Sequence, residues 1–205
     1  MAALPEESGA DDPNNSDPPI SVTTEVHPEG GRTGSQPLFA IPAESQSAVR
    51  PEHPNEQVCR DWARDLGGAD VGVTYVRIVL QGRTRANVLI EGRILVKNRL
   101  PAIPGPYEDC TQVGGDFAVS RDVRVDLEDP NLRWEYYVLG QRQDGPFLLS
   151  ITEGASEVID LQVYARTALF EWTAELELLV DGERSVVPIT DNGTVFRTSG
   201  IVSEG

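Results

Sequence analysis

Phe170-Glu-Trp-Thr-Ala-Glu-Leu-Glu-Leu-Leu-Val180 is the stretch that decides the fold class. Phe170, Trp172, Ala174, Leu176, Leu178 and Val180 fall on alternate positions, with mostly polar residues between them. A period of two marks a β-strand with one buried face. Asp181-Gly182 follows at once, a pair suited to the positive φ angles of a hairpin turn, and Ser185-Val-Val-Pro-Ile189 supplies an apolar return strand. The outward positions hold Glu171, Thr173, Glu175 and Glu177. A sheet that is apolar on one face and charged on the other is expected to be antiparallel and wet on one side. This points to a β-sandwich rather than a doubly wound enzyme.

Working outward, further strand patterns run over Val73–Gln81, Asn87–Lys97 with Gly92 as an expected bulge, Val123–Leu127, Trp134–Leu139, Phe147–Thr152, Glu157–Arg166 and Thr194–Thr198. With the hairpin they make eight or nine short strands separated by Gly, Pro, Asp and Asn. That is the pattern of an all-β, antiparallel Ig-like or Greek-key sandwich. One short helix is expected before them, capped at Pro54-Asn55, with Val58, Trp62 and Leu66 on one face and Gly67-Gly68 at its end. Arg99–Gly115, with Pro101, Pro104 and Pro106, reads as a long connection of the kind that crosses a sandwich or carries function.

Composition divides the chain. Residues 1–57 hold nine of the fifteen prolines, one aromatic residue (Phe39), and ten acidic against two basic residues. Such a segment buries too little apolar surface to offset its ordering entropy, so 1–57 is expected to be a disordered acidic leader and 58–201 the folded domain. The formal net charge of -16 argues against nucleic acid as a partner, since phosphate binding draws on clustered Lys and Arg. No apolar run reaches the roughly 18 residues of a membrane span, and the first residues lack the basic start and apolar core of a signal peptide.

The search for catalytic chemistry returns absences. Both histidines, His27 and His53, fall in the expected leader, which removes a Ser-His or Cys-His pair and His-ligated zinc from the domain. No phosphate loop, CxxC or GxSxG occurs. Glu171, Glu175 and Glu177 share a strand face and could resemble a glycosidase pair, but alternate acids on an exposed strand are also what solvation requires. Asp126-Leu-Glu-Asp-Pro-Asn131 offers oxygen donors for calcium yet reads first as a turn, and Asn192-Gly193 as a hairpin turn rather than a sugar site. No metal, cofactor or catalytic residue is expected.

Two further features remain. Cys59 and Cys110 are the chain's two cysteines, one in the helix and one in the Pro-rich connection. They could form a disulfide, which would imply an oxidising compartment; two structural free thiols or a reactive thiol are the alternatives. Among the aromatics, Tyr137 and Tyr164 lie opposite the apolar faces of their strands and are the candidate ligand-binding residues, while Trp134 and Tyr136 read as core. A Tyr137 that only covers a sheet edge is the plainer alternative.

The run Val71–Thr74, Val79–Thr84, the Val125–Pro130 turn, the Val180–Gly182 hairpin and Phe196–Thr198 together resemble an uncharacterised group of actinobacterial β-sandwich domains over roughly Val58–Ser199. Members often carry the domain after a membrane helix, so the resemblance implies an extracytoplasmic face; it brings no activity and no site residues. The residues from Met1 to Gln57 contain no such helix, which leaves a cytoplasmic setting as the alternative. The expectation is thus a non-enzymatic protein-interaction or ligand-recognition module with a protein or glycan partner. A carbohydrate-binding module is the alternative, and a carboxylate glycoside hydrolase comes behind it.

Overall fold

A computed structural model of the chain describes residues 20–26, 38–52, 56–83, 86–109, 121–145, 147–180 and 182–202. Fourteen strands and one α-helix are present among them: β1 (Ile20–Val26), β2 (Leu38–Ala40), α1 (Glu56–Asp65), β3 (Ala69–Val71), β4 (Val73–Gly82), β5 (Ala86–Pro101), β6 (Tyr107–Asp109), β7 (Arg121–Asp126), β8 (Glu135–Val138), β9 (Gln141–Gln143), β10 (Phe147–Ile151), β11 (Ser156–Tyr164), β12 (Ala168–Val180), β13 (Glu183–Ile189) and β14 (Phe196–Ser199). They form a six-stranded sheet, β1-β4-β11-β7-β8-β9, and an eight-stranded sheet, β10-β5-β12-β14-β3-β2-β6, in which β13 also pairs with β12.

The strand that opened the sequence reading is the spine of the larger sheet. Its whole length pairs with β5 on one side, while β14 and then β13 pair with it on the other. Phe170, Trp172, Ala174, Leu176, Leu178 and Val180 are buried, and the residues between them are half-exposed. Apolar residues of both sheets, among them Ile78, Val123 and Leu161 from one and Ile90, Trp172 and Phe196 from the other, merge into one buried cluster. Burial of this alternating set, at roughly 25 cal/mol per Å² of apolar surface, is what holds the sheets together.

Several expectations need correction. Both sheets are mixed rather than purely antiparallel, because β11–β7 and β14–β3 run parallel. Among the described residues there are fourteen strands instead of eight or nine, since β2, β3, β6 and β9 are three residues long and too short to show a period. A disordered leader reaching Gln57 is overturned for residues 20–26 and 38–52: β1 pairs along its whole length with β4, and β2 sits between β3 and β6 with Phe39 fully buried. The average composition of 57 residues concealed two short segments, Ile20-Ser-Val-Thr-Thr-Glu-Val26 and Leu38-Phe-Ala-Ile41, rich in strand-forming side chains.

Two finer expectations change for steric reasons. The register shift in β5 falls opposite Glu171/Trp172, where Lys97 is left unpaired, and not at Gly92. Gly92 has another cause: the Trp134 ring lies directly on it, and a Cβ there would meet ring atoms at 2.1 Å. Helix α1 buries Cys59, Arg60 and Ala63, and Trp62 and Leu66 of the expected face pack against the same cluster, whereas Val58 is 45% exposed and does not belong to it. Gly67, at φ +77°, and Gly68 end the helix, with the Gly68 N–H donating to Ala63 O at 2.8 Å. Arg99–Pro101 and Tyr107–Asp109, expected to be connection, are strand.

Candidate functional site

The outer face of the six-stranded sheet is where charged and aromatic side chains converge. Alternation turns Val123 and Val125 of β7 and Ile159, Leu161 and Val163 of β11 into the core, which sends Arg124, Asp126, Gln162 and Tyr164 to the opposite face. In β8, Tyr136 packs against the core and Glu135 and Tyr137 face out. Register does the rest. Tyr164 stands beside Asp126, Arg124 beside Glu135, and Asp122 beside Tyr137.

Tyr137 and Tyr164, singled out separately in sequence, therefore line one pocket of about 530 Å³. Its polar walls come from Arg124, Asp126 and Glu135 on the strands and from Asp129, Arg133 and Arg166 at the turns. The Arg124 guanidinium lies over the Tyr137 ring, 4.2 Å from its centroid. Tyr137 donates its hydroxyl to Glu135 at 3.1 Å, and Tyr164 donates to Gln162 at 2.5 Å. Burial, with the neighbouring Tyr75 next in weight, pushes the Tyr164 phenol above its ordinary value.

One rim of the pocket is the acidic turn. Asp126 Oδ1 accepts the Glu128 N–H at 3.0 Å, and Asp129 Oδ1 accepts the Asn131 N–H at 2.9 Å. Glu128 reaches across to accept the backbone N–H groups of Arg166 and Thr167 at 2.9–3.1 Å. Burial works against ionisation of Glu128, but these donors outweigh it and hold the carboxyl below the usual range. The carboxylates that calcium would need are thus acceptors within the turn, and no group of three or more metal-ligating side chains occurs among the described residues.

Ion pairing within the site is uneven. Arg133 pairs with Asp129 at 3.3 Å, Arg166 with Asp126 and Glu128, and Glu135 with Arg142 at 2.9 Å. Arg124 makes no ion pair or hydrogen bond among the described residues, and its Nε is buried without a partner. Sequence reading passed over Arg124, although the alternation of Arg121-Asp-Val-Arg-Val-Asp126 carried the signal that it faces away from the core.

The three glutamates of β12 each meet a different arginine across the strands: Glu171 with Arg197 at 3.3 Å, Glu175 with Arg93, and Glu177 with Arg184 at 2.7 Å. They do not form a facing carboxylate pair. A separate polar cluster, unforeseen in sequence, fixes α1. Arg60, 1% exposed, and Arg64 both pair with the buried Asp191, and Arg60 Nε stands 4.0 Å from Asp70. Asp70 accepts from Thr74, which meets Thr198, which in turn accepts the Trp172 indole N–H. Burial, then the adjacent Arg60 charge, lowers the Arg64 guanidinium to about 10. Cys59 is fully buried against Phe39 and Ala63, while Cys110, His27 and His53 lie outside the described residues.

No family model, curated protein or solved structure matches this chain. No helix among the described residues is long and apolar enough to cross a membrane.

Proposed function

We propose that the protein is a non-enzymatic recognition module whose binding surface is the outer face of the six-stranded sheet, centred on the pocket between β7, β8 and β11. The observation that supports this reading is the convergence of Tyr137, Tyr164 and Arg124 on one concave site. Tyrosine and arginine carry much of the energy at binding surfaces, because each combines apolar area with hydrogen-bonding capacity. A pocket of about 530 Å³ lies within the span of small-ligand sites, roughly 300–1,000 Å³, which favours ligand recognition over a flat protein contact. Two tyrosines in a cleft favour a carbohydrate as the second reading. The two-sheet scaffold is read as a Greek-key type sandwich, and the resemblance to actinobacterial domains favours an extracytoplasmic setting, with a cytoplasmic one as the alternative.

Immobilised full-length protein, presented to a glycan array and to host extract, is expected to retain a ligand that the Tyr137→Ala/Tyr164→Ala double variant loses by at least about tenfold, equivalent to roughly 1.4 kcal/mol. Both tyrosines are outside the main core, so the double variant should still melt cooperatively. Undiminished capture by a folded double variant would sink the assignment of the surface.

A further inference from the structure

The pocket's charge bookkeeping suggests what kind of ligand it takes. Of the three arginines that line it, Arg133 and Arg166 are paired with three carboxylates, Asp129, Asp126 and Glu128, and Glu135 is occupied by Arg142 and the Tyr137 hydroxyl. Arg124 is left over. Its guanidinium is stacked on Tyr137, and its buried Nε lacks an acceptor among the described residues. A guanidinium that lines a pocket without an ion pair is satisfied best by a planar anion that accepts two parallel N–H bonds from its terminal nitrogens.

We propose that the pocket selects a saccharide bearing a carboxylate, with Arg124 receiving the carboxylate and Tyr137 and Tyr164 contacting the sugar ring. This rests on the recognition reading above and narrows it to one chemical class. One carboxylate can pair with Arg124, while the other charges of the site, Arg133, Arg166 and Arg142 against Asp129, Asp126, Glu128 and Glu135, leave no cation over for a second negative charge. A phosphate, with close to two charges, would stand near Asp126, Asp129 and Glu135 with nothing to offset the second. The net charge of -16 likewise disfavours capture of a polyanion by the chain as a whole. The paired carboxylates and arginines at the rim offer both acceptors and donors to ring hydroxyls, while the tyrosine rings offer apolar surface to the C–H face of a sugar.

The test is calorimetric titration of the full chain with trimers that carry a single galacturonate or glucuronate on two neutral hexoses and with the same trimers as methyl esters, which keep the ring and remove the one charge. The acids are expected to bind at least tenfold more tightly than the esters. Arg124→Gln should bring the acids down to the ester level with an unchanged melting temperature, and Arg124→Lys should recover part of the difference. Equal binding of acid and ester, or no effect of Arg124→Gln in a folded variant, overturns the carboxylate assignment; recognition by the tyrosines then still stands if Tyr137→Ala weakens both. Inorganic phosphate that displaces the acid at equal concentration also overturns it. If neither trimer series binds, the inference fails outright, and the double tyrosine variant on the array decides the broader reading separately.

Discussion

Trp172 stacks on Phe196 with ring centroids 4.4 Å apart and gives its indole N–H to the Thr198 hydroxyl at 2.9 Å, deep between the sheets. Cutting it back to alanine removes that packing, leaves a cavity and orphans an acceptor. Trp172→Ala is therefore expected to cost about 3–5 kcal/mol in denaturant unfolding, a large part of a domain's marginal stability. Glu175→Ala, one pleat away, is expected to change stability by about 0.5 kcal/mol or less, because its pairing with the well-exposed Arg93 is screened by solvent. Equal losses at the two positions would contradict the one-sided burial of β12. At this scale sequence was a good guide, since residue type and a period of two suffice to tell the face of Trp172 from that of Glu175. Arg60 shows the limit. It looks like any helical surface arginine until the fold brings to it Asp70 from the next strand and Asp191 from far along the chain.

Among the elements, α1 depends on that buried cluster for its attachment. Asp191 compensates both Arg60 and Arg64, so Asp191→Ala leaves two arginines with only the more distant Asp70 between them and is expected to cost about 3–5 kcal/mol, measured by chemical unfolding. The turn after β7 gives a pH signature. The folded pKa of Glu128 is depressed, so its contribution to stability is present above the unfolded carboxylate value, near 4.3, and is lost as pH falls through the lower folded value. Glu128→Gln is expected to lower the melting temperature by a few degrees at pH 7 and by much less near pH 3, and a loss that persists unchanged at low pH would contradict the carboxylate's role as acceptor. The long strands β4, β5, β11 and β12 were legible because several alternations fit within each. The three-residue strands were not, because three residues hold no period and their pairing is set wholly by partners elsewhere in the chain. The pocket was half legible: the outward direction of Tyr137 and Tyr164 follows from alternation within each strand, whereas their meeting follows from the parallel register of β11 on β7 and the antiparallel register of β8 on β7.

For the molecule as a whole, Ile20–Val26 and Leu38–Ala40 are tied into both sheets, β1 into one and β2 into the other. Deletion through Ala40 removes an edge strand, an internal strand and the fully buried Phe39, and is expected to lower the melting temperature by about 10 °C or more, read in a thermal scan. A truncated chain that melts within a few degrees of the full one would detach those strands from the cooperative unit. The same region bears on the last prediction, the bond between Cys59 and Cys110. Helix α1 lies at the end of the larger sheet, packed on β2, and Cys59 is sealed beneath Phe39 and Ala63. Cys110 directly follows β6, which pairs with the other side of β2. Helix α1 and β6 thus both contact the same short strand, and Cys59 lies in the first while Cys110 is the next residue in sequence after the second. A bond would close a loop of about fifty residues and in the loop-entropy model add about 4 kcal/mol to stability. Mass analysis of the denatured, unreduced and alkylated chain is expected to find neither thiol modified. Reduction, or the Cys59→Ser/Cys110→Ser double variant, should lower the melting temperature. Two alkylated cysteines would exclude the bond, and with it the argument from cysteine chemistry that this protein works in an oxidising compartment.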